Sequence, residues 1–225
     1  LGLRTLAMRE EWGGGGIINT VTLFIVQEEL GAVGDVGVAK IFGQCWKVGR
    51  AIYELANQEQ RDRLLRPFME DHRFVLSVAC TEPNAGADNC LPYDAPRAGA
   101  MLSAVREGDE YVLNGMKHFI ANGGASKLYI IFGRTDPNVG ISNGLSMFLV
   151  PSDTPGFSIG RIHDKMGQRL YQQAELIFEN ARIPKENLLG KEGEGLSGYR
   201  AVLKGSNVEA GLSGVSVARA AYENA

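Results

Sequence analysis

The hydrophobic pattern of this chain changes near residue 74, and the change limits the folds it can adopt. Before that point apolar residues recur every three or four positions, as from Val38 to Leu55, which predicts amphipathic helices. From residue 74 onward they come in short runs separated by turns with Pro or Gly, a pattern typical of β-strands. A helical pattern returns from about residue 192. The sequence therefore predicts an α+β fold.

The same patterns divide the chain into three regions. Residues 1–73 are predicted to form an N-terminal helical domain, residues 74–189 a central all-β domain, and residues 190–225 the start of a C-terminal helical domain. Glu107-Gly108-Asp109 predicts a hairpin in the central domain, which we expect to be a barrel or sandwich. The last region has an apolar helical stripe at Val208, Leu212, Val215, Ala218 and Tyr222. No stop signal precedes Ala225, so we expect the chain to be a fragment.

Composition argues against several classes of protein. The 225 residues are 44% hydrophobic and 22% charged, as in ordinary globular proteins, and the net charge of −3 does not favour a nucleic-acid partner. No apolar run is long enough to span a membrane. The histidines at 72, 118 and 163 lie far apart and lack metal-ligand spacing, so no metal site is predicted. Three cysteines without such spacing favour a reducing compartment, the bacterial cytoplasm or the mitochondrial matrix.

The clearest functional signal is the strand end at residues 77–88, Ser-Val-Ala-Cys-Thr-Glu-Pro-Asn-Ala-Gly-Ala-Asp. An apolar strand stops where Pro83 removes an N–H, and a turn of small residues follows. Such a strand end offers backbone N–H groups with little side-chain bulk, which suits a flat ligand with a polar edge. Residues 114–124, Asn-Gly-Met-Lys-His-Phe-Ile-Ala-Asn-Gly-Gly, repeat this design with an aromatic residue beside glycines.

These two stretches resemble signatures of the acyl-CoA dehydrogenase family. Residues 81–88 resemble Thr-Glu-Pro-x-Ala-Gly-Ser-Asp, and residues 114–123 resemble Asn-Gly-x-Lys-x-Trp-Ile-Thr-Asn-Gly. Further matches, in family order, lie at residues 10–14, 153–156, 165–169 and 178–190. Each match alone is weak, but the ordered set covers nearly the whole chain.

The resemblance implies an FAD-dependent enzyme that oxidises an acyl-CoA thioester to the 2,3-enoyl-CoA. A glutamate removes the α-proton while the β-hydrogen passes as hydride to flavin N5. It also implies a homotetramer, an electron acceptor such as an electron-transfer flavoprotein, and a C-terminal helical bundle of which this chain holds only the beginning. An enoyl-CoA reductase, a flavin-dependent oxygenase and a non-catalytic flavin-binding protein remain alternatives.

Carried over by position, the resemblance also implies site residues. The expected flavin contacts are Val78, Cys80, Thr81, Gly86, Ala87, Phe119 and Ala121, and the expected acyl-CoA contacts are Ala87, Leu203, Ser206 and Asn207. Phe119 takes the place of a Trp on the flavin face, and Ala121 that of a Thr beside N5. Ala87 replaces Ser, Asn207 replaces Arg, and residues 170–173 replace Gly-Ser-Asp-Thr.

The catalytic base is not located by the resemblance. One of the family's two glutamate positions falls on Ser206, which cannot act as such a base, and the other lies beyond Ala225. Glu209, one helical turn after Ser206, could substitute only if the helix shifted register. Glu82 is expected to orient backbone rather than to catalyse. Residues 193–198 fit G-x-G-x-x-G, but without a strand running into them they predict only a loop that enters a helix.

Overall fold

The computed structural model describes residues 2–33, 35–90, 94–203 and 206–225, apart from the side chains of Cys90, Ala201, Ser206 and Asn207. Helices lie toward both ends of the chain, with a β-sheet between them, and the predicted α+β fold is confirmed. The domain boundaries at residues 73 and 189 stay predictions. Within the described ranges, no helix combines the length and hydrophobicity needed to cross a bilayer.

The N-terminal helices begin at polar capping residues. Helix α1 (Thr20–Ala32) starts after Asn19, whose side chain accepts the N–H of Val21 at 2.9 Å. Helix α2 (Val36–Leu55) starts after Asp35, whose carboxylate accepts the N–H of Gly37 at 2.6 Å. Two short helices, α3 (Gln58–Gln60) and α4 (Arg66–Glu70), flank a π-helical turn over Arg61–Leu65. The periodicity of α2 predicted its extent closely.

In the described part of the chain, eight strands follow and join in one sheet. They are β1 (Val75–Ala79), β2 (Ser103–Glu107), β3 (Glu110–Ala121), β4 (Ser126–Arg134), β5 (Leu145–Pro151), β6 (Phe157–Ile162), β7 (Gln173–Pro184) and β8 (Leu188–Leu189), with a short helix α5 (Ile141–Gly144) before β5. Their order is β6-β7-β3-β2-β4-β5-β8, with β1 parallel to β4. The predicted hairpin joins β2 to β3, and Gly108 adopts a φ of +64° at its turn.

Two apolar cores lie on the sheet. In one, Ile52 of α2 and Phe68 of α4 pack with Leu76 of β1 and with Phe132 of β4. The other is built from residues of the strands together with Leu102, which directly precedes β2. In it the rings of Tyr111 on β3 and Phe148 on β5 lie 4.8 Å apart, although two strands separate β3 from β5 in the sheet. The sheet must therefore curl around this second core, as a barrel or sandwich does.

Helices α6 (Gly195–Leu203) and α7 (Ser206–Glu223) close the described chain. Gly193–Gly198 leads from a loop into α6, as predicted. The face of α7 that meets α1 is small and polar. Ser216 is buried there, and a Cβ on Gly31 of α1 would lie 2.8 Å from its Cβ.

The apolar stripe expected on α7 is not the face that packs against α1, and most of its residues are exposed. Val208, Val215 and Tyr222 are 58%, 54% and 85% exposed. Charge pairing orients α7 instead, because Arg219 contacts Glu28 at 3.2 Å and Glu29 at 2.6 Å. Both glutamates of α1 therefore pair with the neighbouring helix.

Candidate functional site

The two segments expected to contact a flavin lie side by side. β1 ends at Ala79, and the chain continues through Cys80 and Thr81 beside the end of β3. The N–H of His118 donates to the Thr81 carbonyl at 2.8 Å, and the buried Lys117 ammonium donates to the Cys80 carbonyl at 3.1 Å. Two stretches that are far apart in sequence therefore share one small region of the fold.

The expected flavin contacts differ in accessibility. Cys80 is buried, Val78, Thr81 and Ala121 are half-buried, and Gly86, Ala87 and Phe119 are exposed. Ser77 Oγ also donates to the Ala121 carbonyl at 2.6 Å, which ties β1 to the end of β3. Because its side chain is buried, Cys80 could meet a ligand only through its backbone.

A buried ion pair holds this strand end in place. The side chain of Lys117 is fully buried, and its Nζ lies 2.7 Å from Glu82 Oε1. The Glu82 carboxylate also accepts the N–H groups of Met101 at 2.7 Å and Leu102 at 2.8 Å. Glu82 thus orients backbone, as expected. The sequence did not single out Lys117, because buried and exposed residues are mixed around it on β3 and their pattern does not mark a buried lysine.

Phe119 is held in an unusual position for a large aromatic residue. Its φ is +55°, and its side chain is 53% exposed, outside both cores. The ring stacks on His118 and His163, with centroids 4.0 and 4.7 Å apart. Phe119 is therefore not a core residue. Next to it, Asn122 Nδ2 donates to the Leu76 carbonyl at 3.3 Å and fastens the strand end to β1.

The turn after Glu82 leaves open space beside this site. Glu82 and Ala85 exchange backbone hydrogen bonds of 2.8 and 3.3 Å and present Gly86 and Ala87 at the surface. A Cβ on Gly86 would meet no atom within 4 Å. The N–H of Gly86 is already used, since it donates to Asp88 Oδ1 at 2.6 Å. The open surface at Gly86 and Ala87 therefore follows directly on the strand end that Glu82 and Lys117 hold.

The expected acyl-CoA contacts are only partly described. Leu203 is half-buried at the end of α6. The side chains of Ser206 and Asn207 lie outside the described residues. Beside Leu203, Val202 lines a cavity of about 390 Å³ bounded by α1, α2, α6 and α7. Its walls combine apolar and charged residues: Leu23, Phe24, Trp46 and Val202, with Lys47, Arg50, Glu54 and Glu209.

Glu209 is a buried counter-ion in the wall of this cavity. Its carboxylate accepts from Gln27 Nε2 at 3.2 Å and lies 3.4 Å from Lys40 Nζ and 3.5 Å from Lys47 Nζ. Burial acts to raise the pKa of Glu209, but the two lysines and Gln27 outweigh it and leave the pKa below its usual value. This environment weakens a carboxylate as a proton acceptor.

The expectation that the histidines form no cluster is wrong for two of them. His118 Nε2 lies 3.2 Å from Glu175 Oε1, and the rings of His118 and His163 are 4.8 Å apart. Burial, with repulsion from His118, lowers the pKa of His163. Sequence spacing could not reveal the cluster, because its members meet only when β3, β6 and β7 pair.

Two family models match this chain, and together they cover most of it. A sequence model described as the acyl-CoA dehydrogenase middle domain matches residues 77–181, and that of the N-terminal domain matches residues 1–71. The chain is 36% identical to an acryloyl-CoA reductase (NADH) from Anaerotignum propionicum, over 99% of the chain and 54% of that protein.

Solved structures agree with these matches. Butyryl-CoA dehydrogenase from Megasphaera elsdenii superposes with a TM-score of 0.87 at 32% identity, over 98% of this chain and 56% of that one. A chain in a structure described as the electron transferring flavoprotein of Acidaminococcus fermentans gives a TM-score of 0.86 at 35% identity, over 98% and 55%. The chain thus spans about half the length of the relatives it matches. By its ordered motifs, its fold and these matches, the chain belongs to the acyl-CoA dehydrogenase family.

Proposed function

We propose that this chain carries the flavin-binding part of an FAD-dependent acyl-CoA dehydrogenase that forms a 2,3-enoyl-CoA from an acyl-CoA thioester. The observation that carries the proposal is the juxtaposition of the β1 end with Phe119, an exposed aromatic ring at the end of β3. The butyryl-CoA dehydrogenase among its structural relatives supports this reaction.

Bound FAD would supply the hydride acceptor, and the residues of this chain would position it. We assign Val78, Thr81, Phe119 and Ala121 to the flavin ring, with Cys80 acting through its backbone. Gly86 and Ala87 contribute the open surface beside the ring. The pair of Lys117 and Glu82 keeps the strand end rigid, so that the flavin contacts need no rearrangement on binding.

The expected acyl-CoA contacts keep their assignment in this proposal. We assign Leu203, Ser206 and Asn207 to the acyl-CoA, together with Ala87. The base is proposed to be a glutamate beyond Ala225, because Glu209 already serves two lysines. A homotetramer, and an electron-transfer flavoprotein as acceptor, complete the proposal. The likeness to a chain in a structure described as an electron transferring flavoprotein supports the choice of acceptor.

Enoyl-CoA reduction is the second candidate, since one relative is named an acryloyl-CoA reductase (NADH). This reaction would use the same flavin-binding residues, but it runs in the opposite direction, from enoyl-CoA to acyl-CoA. The two differ in which reductant or oxidant turns the enzyme over, so the absorbance of the flavin during incubation with acyl-CoA, or with NADH and enoyl-CoA, separates them.

Flavin retention tests the proposal directly. We expect the 225-residue chain to bind FAD weakly and a longer chain with the C-terminal helical domain to retain it. The reason is that we assign the adenosine side of FAD to the C-terminal region of a neighbouring subunit in the proposed tetramer. Gel filtration with absorbance at the flavin band measures both. Equal retention by the two chains would contradict the assembly proposal. Failure of both to bind FAD would contradict the function itself.

The alanine at 121 should tune the flavin. A hydroxyl that donates to N5 stabilises the electron-rich reduced ring, and a hydrogen bond to a charged partner is worth roughly 1.5–3 kcal/mol. Ala121→Thr in the longer chain with FAD is therefore expected to shift the reduction potential, which potentiometric titration measures. Ala125→Thr, an exposed position in the turn after β3, is the matched control. Equal potentials in both variants would show that residue 121 does not reach N5.

A further inference from the structure

Three potential metal ligands lie side by side on one edge of the sheet. The register of β3 with β7 brings His118 next to Glu175, and His163 directly follows β6, the other neighbour of β7. The N–H of His163 donates to the Gln173 carbonyl at 2.8 Å, which fixes its place beside β7. One potential ligand atom from each of the three side chains lies within 4.8 Å of the other two, and all three residues are half-buried.

The carboxylate of Glu175 is already oriented. One oxygen lies 3.2 Å from His118 Nε2, and the other accepts the backbone N–H of Arg161 at 3.1 Å. A Cβ on Gly160 would come within 3.0 Å of that second oxygen, so a larger residue at position 160 would crowd the carboxylate. The hydrogen bond from Arg161 therefore orients the carboxylate through Oε2, while Oε1 lies beside His118.

The two imidazoles are oriented as well. Phe119 stacks on both rings, at 4.0 Å from His118 and 4.7 Å from His163. Nε2 of His163 is buried and has no hydrogen-bond partner among the described residues. A buried polar nitrogen without a partner costs free energy, and a ligand bound there would remove that cost.

We propose that His118, His163 and Glu175 form a binding site for a divalent transition-metal ion such as Zn²⁺. Two imidazoles and one carboxylate are a donor set that Zn²⁺ accepts, with water in the fourth position. Zn–N bonds of about 2.0–2.1 Å place tetrahedral ligand atoms roughly 3.4 Å apart. The ligand atoms of His118 and Glu175 already lie near that spacing, at 3.2 Å. Only the His163 side chain would have to move toward the other two when an ion binds.

Two features set the expected strength and consequence of binding. Arg161 and Lys165 are cations close enough to disfavour a proton on His163, and their charge should also weaken the binding of a divalent ion. The Lys165 ammonium already has a partner, since it donates to the Gln168 carbonyl at 2.8 Å. Because Phe119 packs on both histidines, a bound ion would also immobilise this exposed ring.

Calorimetric titration of the metal-stripped chain with Zn²⁺ tests the site. We expect one equivalent of Zn²⁺ to bind. Even changes in outer-shell partners cost 10–100-fold in metal affinity, so His163→Gln and Glu175→Gln should each weaken binding by at least about tenfold. His72→Gln removes an exposed histidine outside the cluster and should leave binding unchanged. Thermal melts of each variant confirm that it is folded, and Glu175→Gln keeps the shape of the side chain.

Co²⁺ provides a second readout. Bound to two histidines and a carboxylate in a near-tetrahedral site, it should give visible absorption bands that are absent from His163→Gln. The proposal is overturned if the wild-type chain releases no heat with millimolar Zn²⁺. It is equally overturned if the cluster variants bind Zn²⁺ as well as the wild type, which would assign binding to another part of the surface.

Discussion

Glu82→Ala is expected to lower the free energy of unfolding by about 3–5 kcal/mol, the cost of leaving one partner of a buried ion pair unpaired. The ammonium of Lys117 is fully buried and, among the residues that the structure describes, would keep only the Cys80 carbonyl as an acceptor. The N–H groups of Met101 and Leu102 would also lose their acceptor. Urea denaturation followed by circular dichroism measures the change.

Two controls separate burial from charge. Asp109→Ala breaks an ion pair with Lys185 that lies in solvent, and its unfolding midpoint should stay close to that of the wild type. Glu82→Leu combined with Lys117→Met removes both buried charges and should recover part of the loss, because no charge is then left without a partner. If Glu82→Ala costs no more than Asp109→Ala, the pair does not hold the strand end.

Glu209→Gln should separate stability from catalysis. In the longer chain with FAD, we expect stability to fall on the order of 3 kcal/mol, because Lys40 and Lys47 lose their counter-ion in a buried site. Flavin reduction by the best acyl-CoA should stay within a few-fold of wild type, since Glu209 is not the proposed base. Stopped-flow absorbance and urea titration measure the two quantities.

The difference in unfolding free energy between the wild type and Glu209→Gln should depend on pH, and the pKa shift of Glu209 fixes its sign. The folded protein lowers the pKa of Glu209, so its contribution to stability is complete above the unfolded carboxyl pKa, about 4.3 for glutamate. It is lost as the pH falls through the lower folded value. The stability gap between wild type and Glu209→Gln should therefore narrow in acid and stay constant above that pH.

Glu54→Gln is the matched control for Glu209→Gln. Glu54 lines the same cavity but forms no ion pair within the described chain, so its replacement should change neither quantity much. A loss of roughly 10²–10⁴-fold in flavin reduction by Glu209→Gln, with flavin still bound, would make Glu209 the general base.

Local patterns in the sequence determined the elements of this protein. The apolar spacing of three and four residues predicted α2, and the Gly108 turn predicted the β2–β3 hairpin. The strand end at residues 77–88 was recognised from its own residues, since Pro83 and the small residues after it act on neighbouring backbone. The role of Glu82 as a backbone acceptor also followed from its position.

Contacts between elements far apart in the sequence decided which side chains of those elements meet. Glu209 was found on its helix from sequence, but its two lysines come from α2, and only the docking of α7 made it a counter-ion. The cluster of His118, His163 and Glu175 depends on the register of three strands, with irregular pairing between Lys117 and Ile120 on β3. Side-chain periodicity tells which face a residue occupies along one strand, but not which residue of another strand lies beside it. That information exists only once the sheet has formed.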